Sequence, residues 1–373
     1  MLKIPFFKPW INKNDKKSVV DALEQRWLTN GPNLEQFEKK FNHILKSKHS
    51  IGVSTATHGL HLSLASLGIG AGDEVIVPTF TFSATADAVE YCGAKPVFID
   101  VDVDSFNILP KKILQKINKK TKAIIVVHYG GQSCDMNEII SISKKKGLPI
   151  IEDCAHALGS SYGTKKCGTI GKLGCFSFYP TKVITTGEGG MITTNNSTLY
   201  KKIKSLRSHG MSILPSEREK KSTWKYDIKE LGFNYRLDEI RSSLGLSQLK
   251  RLNQINKRRI NVAKKYSELL KNFNGIIIPK VKKNRNHIFH LYSIRVTENY
   301  HMNRDELFQK LFSKDIGTSV QYRPLHMMSY YKKKYRLLKS DFPNANLLEK
   351  QILSLPIFPT MSDKEIQYVC RQI

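Results

Sequence analysis

The chain has 373 residues, and its hydrophobic fraction of 40% and charged fraction of 25% are those of a folded globular protein rather than a disordered or fibrous one. Its formal net charge of +28 is unusually high. The basic residues are spread from end to end without an aromatic-interleaved motif, so we expect a solvated basic surface and no nucleic-acid partner. A positive field of this kind would still help an anionic substrate to arrive.

The N-terminal segment lacks the apolar stretch of a signal peptide, and no apolar run approaches the roughly 20 residues that a membrane helix needs. The six cysteines are scattered, without a CxxC pair or the Cys/His spacing of a zinc site. We therefore expect a cytoplasmic protein with reduced thiols, no metal site and no membrane partner.

Two helices are predicted near the N-terminus, at 15–27 and 33–45, because apolar residues recur there at helical spacing. Asn33 and Gln36 would form a capping box at the start of the second helix. Both helices precede the region in which strand signals begin.

Between about residues 50 and 200, apolar β-type runs alternate with helical patterns such as 57–67 and 83–91. Most of these runs are continuous, which is typical of parallel strands covered on both faces. The predicted strands are 74–78, 96–101, 123–128, 148–152, 175–178 and 190–194. This alternation predicts an α/β fold with a doubly wound, mainly parallel sheet.

The C-terminal part of the chain has a different pattern. One long helix is predicted over 238–270, and the remainder mixes a strand at 290–296 with a helix at 304–314. We expect a large α/β domain over residues 1–250 and a smaller α+β domain over 251–373.

Lys182 is the first residue that suggests chemistry. It lies just past a buried strand and shortly before three glycines at 187–190, where a ligand can approach the backbone. Position alone does not separate it from an ordinary surface lysine, because lysines are abundant in this chain.

A second signal is the pair Glu152–Asp153 at the end of an apolar strand. Two acidic side chains there cannot both be buried without partners, so at least one should meet a cation. Local sequence also permits Asp153 to cap a helix. A third signal is the small-residue turn 54–57 before a helix, which suits either a phosphate site or an ordinary helix cap.

Taken together, these segments resemble the DegT/DnrJ-type aminotransferases that act on nucleotide sugars and use pyridoxal 5'-phosphate (PLP). The resemblance extends over roughly residues 5–265 and is looser in the last hundred, where 322–326 carries it. The matching segments are 72–76, 78–82, 93–98, 127–132, 152–153, 176–182, 187–190 and 232–237. One departure is Ala56, since the family often has glycine at that place in its phosphate loop.

The resemblance implies the aspartate-aminotransferase-like fold called fold-type I, and it implies roles for individual residues. Lys182 would bind PLP covalently and Asp153 would pair with the ring nitrogen, while His156 would lie beside the ring's phenolic oxygen and Phe82 on its face. Phe82 in the core and His156 as a satisfied buried histidine are the alternatives.

The resemblance also implies phosphate and substrate contacts. Ala56, Thr57 and Ser177 would hold the phosphate, and Asn234 would reach it from the neighbouring subunit of a homodimer with shared active sites, unless it is only a turn residue. The residues expected on the substrate side are Arg236, Tyr322 and His326.

The function implied is transfer of an amino group from L-glutamate to a nucleotide-linked keto sugar, for bacterial surface polysaccharide or related amino-sugar biosynthesis. Segments 27–32, 152–157 and 244–249 look most like enzymes that aminate the 4-keto position of UDP-sugars. A dTDP-linked or 3-keto substrate, a lyase and a non-catalytic regulatory protein of the same fold remain as alternatives. Lys182 argues against the related dehydratases, which have histidine there.

Overall fold

The computed structural model describes residues 2–373, except the side chains of residues 215 and 216. The strands are β1 (His49–Val53), β2 (Glu74–Pro78), β3 (Lys95–Ile99), β4 (Thr121–Val127), β5 (Ile150–Asp153), β6 (Ser161–Tyr162), β7 (Lys165–Lys166), β8 (Leu173–Ser177), β9 (Gly190–Thr194), β10 (Ile276–Ile277), β11 (Arg285–Asn286), β12 (Tyr292–Val296) and β13 (Ile352–Leu355). The α-helices are α1 (Lys13–Leu23), α2 (Pro32–Leu45), α3 (Ala56–Ser66), α4 (Ala84–Tyr91), α5 (Pro110–Lys116), α6 (Met136–Lys146), α7 (Ser197–Leu206), α8 (Pro215–Lys220), α9 (Glu239–Leu249), α10 (Leu252–Leu270), α11 (Arg304–Ser313), α12 (Ser329–Tyr335), α13 (Pro343–Gln351) and α14 (Asp363–Gln372).

A seven-stranded sheet with the order β1-β9-β8-β5-β4-β2-β3 forms the centre of the molecule. In this sheet the strands β8, β5, β4, β2 and β3 are parallel to one another, and β9 is antiparallel to both β8 and β1. Successive residues of β2 enter opposite cores: Val75 and Val77 pack with α3 and α4, whereas Ile76 packs with α5 and α6. Helices therefore cover both faces, and the predicted doubly wound, mainly parallel sheet is confirmed.

The C-terminal part contains its own three-stranded antiparallel sheet, in the order β10-β12-β13. A separate core lies between this sheet and helices α10, α11 and α14, with Tyr266, Tyr292 and Leu307 fully buried in it. The boundary predicted at residue 250 falls between α9 and α10. The division into two domains stays a prediction. No helix within residues 2–373 is both long and apolar enough to cross a membrane.

The strand and helix predictions are right in kind, and most bounds agree within about three residues. The strand β1 was not predicted. The single helix predicted over 238–270 is wrong, since α9 and α10 are separated at residues 250–251. Arg251 leaves the helical conformation with φ −107° and ψ 8°, and its guanidinium pairs with Asp15 and with the carbonyl of Trp10. Those partners lie some 240 positions away in sequence, so helical periodicity contains no sign of the break.

The capping box predicted at Asn33 and Gln36 is also wrong. Helix α2 begins one residue earlier, with Gly31 at the N-cap and Pro32 in the first turn, and its own side chains do not cap it. The fully buried carboxylate of Glu239 instead accepts hydrogen bonds from the backbone N–H groups of Gly31, Asn33 and Leu34, at 2.7–3.2 Å. A residue some 200 positions later thus satisfies the free donors of this helix end.

We expect Glu239→Ala to lower the free energy of unfolding by about 2–4 kcal/mol, because three backbone donors would lose a charged acceptor in a buried place. The measurement is urea denaturation at a fixed cofactor concentration. Glu268→Ala, at an exposed position of α10, is the matched control and should change stability by less than about 0.5 kcal/mol. Equal effects of the two substitutions would contradict the capping role.

Candidate active site

A cavity of about 500 Å³ opens at the carboxyl ends of β5 and β8, which lie next to each other in the central sheet. The carboxyl edge of an open parallel sheet is where such folds place their ligands. The cavity gathers residues from the start of α3, the end of β5, the turn after β8 and segment 321–322. Residues predicted for cofactor or substrate binding that line it are Ala56, Thr57, Phe82, Asp153, His156, Ser177, Lys182 and Tyr322.

Lys182 reaches the cavity from the turn that follows β8, where its backbone N–H donates to the carbonyl of Tyr179 at 2.9 Å. Burial lowers the pKa of the Lys182 amine to about 8, and the nearby Asp153 carboxylate partly opposes this shift. A substantial fraction of the amine is therefore neutral near physiological pH, which makes it a usable nucleophile and base.

Asp153 ends β5 and points into the cavity, where it is buried. Its donors are the Thr85 hydroxyl at 2.9 Å and the backbone N–H of Ala155 at 3.1 Å. Both donors are neutral, and burial raises the pKa of the carboxyl. No helix begins at Asp153, so the helix-cap alternative does not hold.

Glu152 precedes Asp153 but points to the opposite side of the sheet. Its carboxylate accepts from the backbone N–H groups of Gly168, Ile170 and Gly171 at 2.6–2.8 Å, and it lies 2.9 Å from His128 Nε2. Glu152 is thus a fully satisfied structural group that fixes the end of β5. Of the two acids, only Asp153 is left for a ligand.

His128, Glu152 and Cys154 bring possible metal-ligand atoms within 4.8 Å of one another. Both nitrogens of His128 are already used, Nε2 with Glu152 and Nδ1 as acceptor for the backbone N–H of Cys134. A metal ion would have to break these buried hydrogen bonds. The geometry favours a structural cluster over a metal centre.

The turn before α3 has the form of an anion site. Thr55 is the N-cap and accepts from the N–H of His58 at 3.1 Å, while Ala56 and Thr57 begin the helix. The first N–H groups of a helix have no partner within it and carry the positive end of its dipole. Gly190 lets β9 approach this turn, since a Cβ there would stand 2.7 Å from the nitrogen of Ala56.

Phe82, His156 and Tyr322 form one wall of the cavity. Phe82 is 61% exposed, so it is not a core residue. His156 is buried and has hydrogen-bonding partners at both nitrogens, as the alternative of a satisfied histidine requires, yet its ring also lines the cavity. The Tyr322 hydroxyl lies 2.9 Å from His156 Nε2.

Three of the predicted residues lie outside this cavity. His326 is only 1% exposed, and its nitrogens are hydrogen-bonded to Thr79 and Asn346, so the prediction of a substrate contact within the chain is not supported. Arg236 is half-buried beside β1, where it pairs with Val53 in an isolated bridge. Asn234 is exposed and does not line the cavity of its own chain.

The sequence reasoning missed several residues of the site. Thr85 holds Asp153, and Thr81 lies 3.0 Å from the Thr85 hydroxyl and lines the cavity. Glu188 also lines the cavity at an exposed position. Thr81 and Glu188 belong to segments that carried the resemblance, but their residue types alone do not indicate a role. Thr85 lies within a helix, and its residue type indicates no role there either.

The cavity fits PLP, which has a cationic ring nitrogen, an aldehyde and a dianionic phosphate. Asp153 is a buried carboxylate with neutral donors only, Lys182 is an amine with a lowered pKa, and α3 offers free N–H groups beside hydroxyls. The cofactor would therefore supply the missing partner of each group: its ring nitrogen for the carboxylate, its aldehyde for the amine and its phosphate for the N–H groups.

Comparison with known proteins agrees with this geometry. Residues 9–373 match the DegT/DnrJ/EryC1/StrS aminotransferase family. The chain is 40% identical to the Bacillus subtilis spore coat polysaccharide biosynthesis protein SpsC over 373 residues, which cover 99% of this chain and 96% of SpsC. It is 36% identical to GDP-perosamine synthase of Escherichia coli O157:H7 over 378 residues, covering 100% of this chain and 98% of that enzyme.

Among solved structures, the PLP form of the putative sugar aminotransferase Spr1654 from Streptococcus pneumoniae superposes with a TM-score of 0.92 at 29% identity, covering 99% of this chain and 97% of that one. A form with the aminated cofactor, PMP, matches with the same TM-score. The predicted fold-type I architecture is thereby confirmed. The family matches nearly the whole chain, and the side chains suited to bind its cofactor lie in one cavity. The protein therefore belongs to the PLP-dependent DegT/DnrJ/EryC1/StrS aminotransferases.

Proposed function

We propose that this aminotransferase moves an amino group from L-glutamate to a keto sugar linked to a nucleotide, at the 4-keto position of a UDP-sugar. The observation that carries the proposal is the Lys182 amine, with its pKa lowered to about 8, in the same cavity as the buried Asp153. The sugar is supported by relatives whose names concern polysaccharide biosynthesis and perosamine. The 4-keto position and UDP rest on segments 27–32, 152–157 and 244–249.

Bound PLP supplies an electron sink for the negative charge that develops when the donor's α-carbon loses a proton. Lys182 would hold the cofactor covalently, and its amine would be the base that takes and returns that proton. Asp153 would keep a proton on the ring nitrogen, because a buried carboxylate strongly favours a cationic partner. The start of α3 and Ser177 would hold the phosphate.

The name of one relative and the sequence segments point to different nucleotides. GDP-perosamine synthase carries a GDP-sugar in its name, whereas the sequence segments favour UDP. The net charge of +28 suits any nucleotide diphosphate, since it attracts anions without distinguishing bases. Amination of UDP-, GDP- and dTDP-linked 3-keto and 4-keto sugars by glutamate-treated enzyme therefore tests the proposal. If glutamate releases 2-oxoglutarate but no keto sugar is aminated, the proposed acceptor is wrong.

A homodimer with shared sites is part of the proposal. Asn234 is exposed and lies outside its own cavity, yet it belongs to the segment that the resemblance assigns to the phosphate. The preceding segment exposes Trp224 by 80% and Leu231 by 88%, which is costly in water unless another surface covers them. A second copy of the chain would both cover these side chains and receive Asn234.

We also propose that the enzyme works in the cytosol. All six cysteines are free, and five of them are buried. Reduced cysteines persist in the cytosol, where thiol-disulfide buffering keeps them in that state.

Lys182→Ala should abolish both turnover and the covalent attachment of PLP, because no other lysine among residues 2–373 lines the cavity. Borohydride reduction followed by mass spectrometry of the peptides measures the attachment. Lys172→Ala, at an exposed lysine in the same part of the chain, should keep both properties. A reducible PLP adduct retained on the Lys182→Ala protein would contradict the assignment.

Asp153→Asn should bind PLP but lower 2-oxoglutarate release at least about a hundredfold, since an amide does not stabilise a protonated ring nitrogen. Burial raises the folded pKa of Asp153 above its ordinary value of 3.8. Its favourable contribution to stability is therefore complete below that value and is lost as pH rises through the folded pKa.

Without cofactor at pH 7, Asp153→Asn should accordingly be at least as stable as the parent to urea. Glu152→Gln is the contrasting variant and should lower stability, because Glu152 has four hydrogen-bond partners. Asp153→Asn activity within a few fold of the parent would refute the role of the carboxylate.

Co-expression of Lys182→Ala and Asn234→Ala subunits tests the shared site. If Asn234 serves the partner, a mixed dimer contains one site with both residues intact and should recover up to about half of the parent activity per dimer. The Asn234→Ala homodimer must first prove impaired, and normal activity there would already refute the model. A mixed dimer no more active than its two parents would show that Asn234 acts within its own chain.

A further inference from the structure

A chain of hydrogen bonds runs from the backbone to the cavity wall through His156. The N–H of Gly130 donates to His156 Nδ1 at 3.3 Å, and His156 Nε2 lies 2.9 Å from the hydroxyl oxygen of Tyr322. The two rings are nearly parallel, with an interplanar angle of 13°. Both side chains line the cavity that contains Lys182 and Asp153.

The direction of donation along these hydrogen bonds follows from which groups can donate and which can accept. A backbone N–H only donates, so His156 Nδ1 must present its lone pair. A neutral imidazole has one hydrogen, which is then on Nε2 and is donated to the Tyr322 oxygen. The hydroxyl hydrogen of Tyr322 is consequently left free to point toward a ligand.

Burial favours the uncharged forms of both the imidazole and the phenol. Burial lowers the pKa of His156 well below its ordinary value, and the charge of Lys182 acts in the same direction, so the imidazole is neutral near pH 7. Burial also raises the pKa of Tyr322, with Tyr129 and Asp153 adding to the shift, so the phenol keeps its hydrogen.

Neighbouring groups hold both rings in place. The ring of His290 packs against His156 with centroids 4.5 Å apart. The Tyr129 hydroxyl donates to the carbonyl of Gln321, the residue before Tyr322, and also lies 3.1 Å from the Ser293 hydroxyl. The position of the Tyr322 hydroxyl is therefore set before any ligand binds.

We infer that Tyr322 donates a hydrogen bond to a ligand oxygen in this cavity and that His156 is the positioning residue that sets the direction of that bond. The inference deepens the proposed function and rests on it in naming the acceptor, which is either the phenolic oxygen of PLP or the keto oxygen of the sugar. It also changes the role implied for His156, which would act on the ligand through Tyr322 rather than directly.

The first test measures the tautomer of His156 and needs no turnover. Protein with ¹⁵N-labelled histidine is studied by NMR without cofactor and with PLP, and His156→Gln assigns the signal. We expect hydrogen on Nε2 and a bare Nδ1 at pH 7 in both forms. Hydrogen on Nδ1, or a doubly protonated ring, would overturn the inference.

The second test uses Tyr322→Phe, which removes the hydroxyl and keeps the ring. If the acceptor is the phenolic oxygen, the pH midpoint of the absorbance change of PLP bound to Lys182 should rise by about one unit, because the lost donor no longer competes with the protonated nitrogen for that oxygen. If the acceptor is the keto oxygen, the midpoint should stay, and amination of the sugar alone should slow about tenfold to a hundredfold. A variant with neither change refutes the inference.

The controls separate direction from packing. His156→Gln retains an acceptor for Gly130 and a donor for Tyr322, so it should lose less in both readouts than His156→Leu, which should reproduce the Tyr322→Phe effect. Tyr292→Phe removes a buried hydroxyl that lies 2.9 Å from the Ser267 hydroxyl and outside the cavity, and it should change neither readout. If the parent fails to react with glutamate, the proposed function fails, but the tautomer and the absorbance midpoint can still be measured.

Discussion

Two neighbouring carboxylates at the end of one buried strand are the constraint on which the rest of the site depends. Because side chains alternate along a strand, Glu152 and Asp153 point to opposite sides of the sheet and meet different surroundings. Glu152 is satisfied by three backbone N–H groups and by His128, which ties the end of β5 to the loop at 168–171. With β5 fixed in this way, Asp153 lines the cavity and accepts hydrogen bonds only from neutral donors.

The same cavity holds two groups whose burial works against their charged forms. The pKa of Lys182 is lowered to about 8 and that of Asp153 is raised, although a direct ion pair would relieve both. The strand ends hold the two residues in the same cavity without such a pair. Without an ion pair between these two groups, the protein without a ligand is less stable. Such a loss of stability is typical of ligand-binding sites.

The cavity is completed by the C-terminal part of the chain. Segment 321–322 lies beside His156, and the hydroxyl of Tyr129, just after β4, donates to the carbonyl of Gln321. His326, only four residues after Tyr322, is instead buried between Thr79 and Asn346. Within one short motif, therefore, Tyr322 lines the cavity, whereas His326 is hydrogen-bonded to Thr79 at the end of β2. The local sequence does not distinguish these two roles.

The sequence by itself predicted the fold class and most elements, because continuous apolar strands are local signals. A multi-segment motif pointed to Lys182 and Asp153, which the structure brings together in one cavity. The residue types alone did not show which of Glu152 and Asp153 faces the cavity. They also did not show that Glu239 caps α2 or that Arg251 ends α9. Each of these depends on hydrogen bonds between residues far apart in the chain, and periodicity contains no record of them. The direction of the bond from His156 to Tyr322 was likewise decided only by tertiary structure, since it requires the N–H of Gly130 to meet one particular nitrogen of the ring.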